Sequence, residues 1–203
     1  MPDLVFDEHY AEEAVLDDGT QIHIRLMRPD DKALLLSAWE RLSPESRYRR
    51  FFAVKTSLTA DEVRYLTEVD NVNHVAIGAS CMRDGAEIAL GVARFIRLAD
   101  RPDVADAAVT VVDDFQRKGL GRLLLSRLVG AARERGIERF SCDILATNEA
   151  MRGLLHSMAP DSTERADGST ITIEMPLADV VSVPGAVDRK SLMYRLLALI
   201  GRG

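Results

Sequence analysis

The sequence predicts a single mixed α/β domain of the α+β kind, and three observations carry that expectation. Helical periodicity dominates residues 29–70, two apolar runs meet at Asp84-Gly85, and from residue 105 onward strand-like and helix-like segments alternate. With 203 residues, 47% of them hydrophobic and 29% charged, the chain can bury a self-sufficient core.

Gly19 marks a turn into residues 21–27, where polar and apolar side chains alternate as in a half-buried strand. Pro29 suits a first helical position, and Leu34, Leu35, Ala38, Trp39 and Leu42 follow at helical spacing. Ser43-Pro44-Glu45-Ser46 reads as a cap, a first-turn proline and an acid at the positive end of a second short helix. That helix ends in Arg49-Arg50-Phe51-Phe52. In Thr59-Ala60-Asp61-Glu62 an acid lies three residues after a capping hydroxyl, so a third helix is expected to run to about Asp70.

The period then changes to two. Residues 72–82 and 87–98 read as strands around Arg83-Asp84-Gly85, whose Asp-Gly pair favours a hairpin turn. Residues 105–112 form a third β-branched run, bounded by Arg101-Pro102-Asp103 and Asp113-Asp114. Residues 119–135 carry Leu120, Leu124, Leu128 and Ala131 on one helical stripe, with Gly136 at the C′ position. A strand over 137–145, a helix over 148–158 and a strictly alternating strand over 169–175 complete the pattern. The domain is therefore expected over 19–178, after an N-terminal extension at 1–18 and before a tail at 179–203. In that tail Val183-Pro184-Gly185 reads as a linker and 191–200 as a short apolar helix that packs on the domain or on a partner subunit, as in a homodimer.

Lys and Arg number 26 against 32 Asp and Glu, and the resulting charge of -6 disfavours general adhesion to nucleic acid or anionic lipid. The longest stretch without a charged residue, 71–82, is well short of the roughly 18 apolar residues of a membrane span. The acidic N-terminus lacks the basic start and apolar core of a secretory signal, so a cytoplasmic location is expected. Two cysteines, Cys81 and Cys142, sit in strand-like runs and support neither a disulfide framework nor a metal cluster.

The richest segment runs from Val109 through Val111-Val112-Asp113-Asp114-Phe115 and Gln116-Arg117-Lys118-Gly119-Leu120-Gly121-Arg122 to Leu125. A strand stops, and two glycines one residue apart open an amphipathic helix. Free amides at a helix N-terminus point at whatever sits there, and the helix dipole favours negative charge. Arg117, Lys118 and Arg122 add positive side chains in a chain that is acidic elsewhere, so an oxyanion such as phosphate is expected. A tight turn with packing glycines and solvated basic residues is the bland alternative. The dinucleotide fingerprint fails because Leu124 holds the place of its third glycine, and the Gly-Lys-Ser/Thr of a Walker loop is absent.

Gln116-Arg117-Lys118-Gly119-Leu120-Gly121 resembles the Gln/Arg-x-x-Gly-x-Gly/Ala loop of the GNAT acetyltransferases, and Asn148-Glu149-Ala150-Met151 resembles the start of their cofactor-contacting later helix. The blocks Asp18-Gly19-Thr20, Ile24-Arg25 with Arg28-Pro29-Asp30-Asp31, and Arg41 to Tyr48 with Phe51-Phe52 are similar to the acetyltransferase domain of bacterial Pat-type protein lysine acetyltransferases. This resemblance implies a mostly antiparallel twisted sheet flanked by helices and binding of acetyl-CoA. Its pyrophosphate would lie at Gln116, Arg117, Lys118, Gly119, Leu120, Gly121 and Arg122, with further contacts from Val111, Val112, Asn148 and Met151. The implied reaction is acetyl transfer to an amine, a protein lysine above all. An extra regulatory domain is common in the Pat-type enzymes, and the expectation here is a chain without one.

The resemblance also implies roles in which this chain departs from the family. Asp106 stands where the Pat-like domains carry a glutamate base, Leu155 replaces the tyrosine that protonates the leaving thiolate in many members, and Ala159-Pro160 replaces a Gly-Phe pair. These departures keep two rivals open, a non-catalytic acetyl-CoA-binding module and a small-molecule N-acetyltransferase. A third, binding of some other phosphate ligand, also remains.

Overall fold

A computed structural model describes residues 5–178 and 180, and it has the mixed α/β class that the sequence predicts. The linker and the helix expected at 191–200 lie outside the described residues. A hairpin of β1 (Ala11–Val15) and β2 (Gln21–Leu26) leads into α1 (Lys32–Glu40), α2 (Pro44–Phe51) and α3 (Ala60–Thr67). Three long strands follow, β3 (His74–Arg83), β4 (Ala86–Arg97) and β5 (Val104–Val111), and then α4 (Leu120–Glu134), β6 (Arg139–Leu145) and α5 (Glu149–Met158). A second hairpin, β7 (Thr163–Asp167) and β8 (Thr170–Pro176), closes the fold. The strands form one sheet in the order β1-β2-β3-β4-β5-β6-β8-β7, antiparallel at every junction except β5 with β6.

Local chemistry accounts for the element ends. Asp84 and Gly85 both adopt left-handed φ, 52° and 79°, which matches the twist of the β3–β4 hairpin. The Ser43 hydroxyl accepts from the Ser46 amide at 3.1 Å to cap α2, and Thr59 and Glu62 form the expected capping box on α3. α3 stops at Thr67, short of the predicted Asp70, because the Asp70 carboxylate instead accepts the amides of Val72, Asn73 and His74 at 2.7–2.8 Å and turns the chain into β3.

α4 packs its leucine stripe on one face of the sheet, where Leu124, Leu128, Phe95 and Phe140 are fully buried. Each such side chain contributes roughly 1.5–3 kcal/mol of transfer free energy. α1–α3 cover the other face, and Trp39 is sealed beneath them. Because side chains alternate along a strand, the register Gly91↔Val111 and Arg94↔Ala108 turns Val111 toward α4 and turns Arg94, Asp106 and Thr110 toward α1–α3.

A bulge in β4 leaves Leu90 without a rung opposite β3. The carbonyl of Leu90 accepts the Val112 amide at 2.9 Å, and that of Ala89 accepts the Arg41 guanidinium at 2.7 Å. Next to it, any Cβ on Gly91 would stand 2.8 Å from the Thr110 carbonyl, so only glycine lets β4 and β5 approach this closely.

β1 and β7 were not expected from the sequence. β1 lies inside the segment predicted as an extension, and a buried ion pair ties it to α4. The Arg127 guanidinium donates to both Glu12 oxygens at 2.7 Å, and the Tyr10 hydroxyl donates to the same carboxylate at 2.7 Å. Removing one partner of a buried pair strands the other charge. Glu12→Ala is accordingly expected to lower the unfolding free energy by roughly 3–5 kcal/mol, measured as a lower denaturant midpoint. An unchanged midpoint would mean that β1 does not hold the fold.

Candidate functional site

β5 and β6 pair in parallel over only three rungs, the last of them Asp106↔Ser141. Beyond this point β5 keeps its ladder with β4 as far as Val111, so the two parallel strands part like a fork. Ala107–Val111 on one prong and Cys142, Asp143 and Ile144 on the other line a cleft of about 420 Å³, within the size range of small-molecule sites.

At the wide end of the fork the chain makes a short turn over Asp113–Phe115, anchored by buried Phe115. It then passes through left-handed conformations at Arg117 (φ 61°) and Gly119 (φ 82°) into α4. A non-glycine residue at positive φ is uncommon, and the alternation exposes successive amides on one side. α2, α3 and α5 are each capped by a side chain, from Ser43, Thr59 and Asn148, whereas no side chain caps α4. Its first-turn amides stay free for an anion.

Val111, Gln116, Arg117, Gly119, Gly121, Arg122, Asn148 and Met151 line this cleft. Arg117 makes neither a hydrogen bond nor an ion pair among the described residues. Arg122 is steadied by donating to the Ser157 hydroxyl, and Gln116 donates to the Val111 carbonyl at 3.2 Å. The Asn148 side chain accepts the Met151 amide at 3.3 Å and thereby caps α5. Val112, Lys118 and Leu120 lie apart from the cleft wall: Val112 and Leu120 are buried in the core, and Lys118 pairs with Asp18 at 2.9 Å above the Phe115 ring.

Sequence reasoning missed several residues that shape this site. The β1–β2 turn braces the loop, with Asp17 so close to Gly119 that a Cβ there would lie 3.0 Å from its carboxylate. The N-terminus of α2 is pinned to the same loop. Asp113 accepts the Ser43 amide at 2.8 Å and the Ser43 and Ser46 hydroxyls at 2.9 and 2.8 Å, while Arg41 Nη2 donates to both Asp114 oxygens at 2.8 and 3.0 Å. Burial alone would raise the Asp113 pKa, but these donors outweigh it and hold the carboxyl below its usual range. α2 also brings Ser46, Arg49 and Arg50 to the cleft, so its walls carry four arginines.

Asp106 sits at the crotch of the fork, on the face toward α1–α3 and one residue before the cleft lining begins. Surrounding protein raises its pKa, the Arg50 charge opposes that rise and Asp143 adds to it. A carboxylate poised this way can take up a proton beside the cleft. On α5, Leu155 is buried and offers no proton. Its neighbour His156 is held between Glu164 and the Ser162 hydroxyl, away from the lining. Cys142 is buried, and burial first, then Asp106 and Asp143, pushes its thiol up, out of reach of the reactive thiolate form at neutral pH. Among the described residues no cluster of metal-ligating side chains occurs, and no helix is long and apolar enough to cross a membrane.

Residues 33–159 match the family described as the Acetyltransferase (GNAT) family. The chain is 31% identical over 174 residues to Acetyltransferase Pat of Mycolicibacterium smegmatis, a match covering 84% of this chain and 51% of that protein. This chain thus spans about half the length of that relative. An acetyltransferase of Pseudomonas aeruginosa is 29% identical over 166 residues, covering 82% of this chain and 88% of the relative. The crystal structure of the GNAT domain of S. lividans PAT superimposes with a TM-score of 0.75 at 29% identity, covering 84% of this chain and 99% of that domain.

Proposed function

The chain belongs to the GNAT acetyltransferase family, whose members take their acetyl group from acetyl-CoA, and from that premise we propose that it acetylates an amine by direct attack, a protein lysine being the acceptor. The observation that carries this proposal is the fork between β5 and β6, which leads from the uncapped start of α4 to Asp106. A pyrophosphate suits the free amides of α4 and the flanking Arg117 and Arg122, and the thioester arm suits the slot between Val109–Val111 and Ile144.

Asp106 then acts as the base. A lysine of pKa about 10.4 is mostly protonated near neutral pH, so a proton must leave before attack. Asp106 accepts it, directly or through a water that makes up for the short side chain. The nitrogen forms its bond to the acetyl carbon and sheds its second proton to solvent as the carbon–sulfur bond breaks, and the thiolate of CoA takes a proton from solvent in turn, since Leu155 supplies none. A backbone amide of β5 freed by the fork, near Val111, stabilises the oxygen that gains charge. Similarity of the Arg41–Tyr48 block to Pat-type domains supports the lysine acceptor.

The decisive assay is CoA release from acetyl-CoA in the presence of lysine peptides, free amino acids or polyamines. Release that depends on a lysine peptide is the expected result. Release with small amines alone would move the acceptor to a metabolite, and acetyl-CoA binding without release on any amine would make the domain a binding module.

A further inference from the structure

A second cavity lies between the sheet and α1–α3, walled by Leu34, Leu35, Trp39, Phe51 and Leu66 among other apolar groups. Arg50 and Thr110 line both this cavity and the cleft, so the two meet at the fork, and the Arg50 charge acts on Asp106. Its polar lining holds the Arg25–Asp31 ion pair, Ser80 and Thr110, and two further arginines, Arg50 and Arg94. Arg94 is only 4% exposed, and its guanidinium donates to the Leu66 carbonyl at 3.1 Å and meets the His74 Nε2 at 3.1 Å. Burial, then Arg94 itself, drives the His74 pKa down to about 4, so that ring is a neutral acceptor.

Charge balance at this place is unusual for the chain. Arg25 and Arg127, likewise enclosed, each hold a carboxylate with two hydrogen bonds, from Asp31 and Glu12. Neither Arg50 nor Arg94 forms an ion pair among the described residues, and Arg50 makes no hydrogen bond there. Burial first, and then the Arg50 charge, lowers the Arg94 pKa to about 10. Arg50 faces the Asp106 charge as well as that of Arg94, yet no carboxylate is hydrogen-bonded to either guanidinium among the described residues, so a carboxylate entering the cavity would meet two cations that have none of their own. A lone ammonium entering here would meet both cations, whereas an amine that brings its own carboxylate would be drawn in.

We infer that the acceptor carries, besides its amine, a carboxylate on an apolar body, which Arg50 and Arg94 bind while the amine reaches Asp106. This rests on the acetyl-transfer reading above. The same chemistry comes from an acidic residue flanking a protein lysine or from the carboxylate of a free amino acid.

Two measurements test it. Calorimetric titration with isovalerate and with isovaleramide asks whether the cavity prefers the anion: isovalerate is expected to bind at millimolar concentration, the amide not, and Arg50→Gln is expected to abolish the difference. Equal behaviour of the two probes with the unmodified protein would overturn the site. Initial rates of CoA release are then compared for leucine against leucinamide and for a lysine peptide flanked by Glu against one flanked by Gln. The carboxylate partner of one pair is expected to react roughly tenfold faster or more, as for a hydrogen bond to a charged group. That ratio should collapse in Arg50→Gln and return in Arg50→Lys, and the pair that shows it identifies the source. Because the ratio is taken within each variant, any effect of Arg50 on Asp106 cancels. Equal rates within both pairs would sink the inference and leave acetyl transfer standing. Isovalerate binding with no turnover of any amine would overturn acetyl transfer and the acceptor with it, leaving a carboxylate site at Arg50 and Arg94 alone.

Discussion

Gly121→Glu is expected to abolish acetyl-CoA binding while the protein stays folded. A Cβ at Gly121 would lie 3.6 Å from Leu154 and 3.9 Å from Val111, ordinary contacts that need no rearrangement. Gly121→Ala should therefore bind acetyl-CoA as well as the parent protein does and gain up to about 1 kcal/mol of stability from helix propensity. The glutamate differs by its charge. It places an anion at the open end of α4, the proposed pyrophosphate site, and like-charge juxtaposition costs several kcal/mol. At about 1.4 kcal/mol per factor of ten, affinity should fall roughly 100-fold or more, as read by calorimetry. Equal affinity of Gly121→Glu and Gly121→Ala would remove the helix terminus as the phosphate site.

The second large effect is expected at Asp106. Asp106→Asn should slow amine-dependent CoA release by roughly 100-fold or more, the usual contribution of a general base, with acetyl-CoA affinity unchanged because the residue lies outside the cleft lining. The pH profile gives an independent check. Only the deprotonated carboxylate accepts a proton, and burial raises the Asp106 pKa. Activity should thus be lost, as pH falls, at a higher pH than an ordinary aspartate near 3.9 would give. Arg50 pulls this pKa down, so Arg50→Gln should shift the acidic limb to still higher pH. A limb that stays put in Asp106→Asn would assign it to another group.

Much of the frame is legible in the sequence because its elements are amphipathic and bounded by strong signals. Ser43 and Thr59 cap as their positions suggest, and Asp84-Gly85 turns as that pair should. β1 escapes notice because its one fully buried inward side chain is Glu12, whose partner Arg127 lies far along the chain in α4. β7 escapes because every residue from Thr163 to Asp167 is exposed, and an edge strand that buries nothing shows no period. At the site, the glycines and basic residues of the loop stand together in the sequence, so they can be read locally. The approach of Asp17 to Gly119, the docking of Ser43 and Ser46 on Asp113 and the pairing of Arg50 with Arg94 all bring together distant segments, and no local pattern announces them.

The Asp113 carboxylate has a further consequence for the binding of two ligands. It belongs to the turn that opens the glycine loop, yet its partners are the Ser43 amide and the Ser43 and Ser46 hydroxyls at the start of α2, the helix whose far end supplies Arg50 to the second cavity. The cleft and the second cavity are therefore fastened together through Asp113, with the Gln116 amide donating to Ser46 beside it. A donor that steadied the loop would also steady the wall against which the proposed acceptor fits, and thermodynamic linkage would make the benefit mutual. Each partner is therefore expected to tighten the other's binding, in whichever order the two arrive.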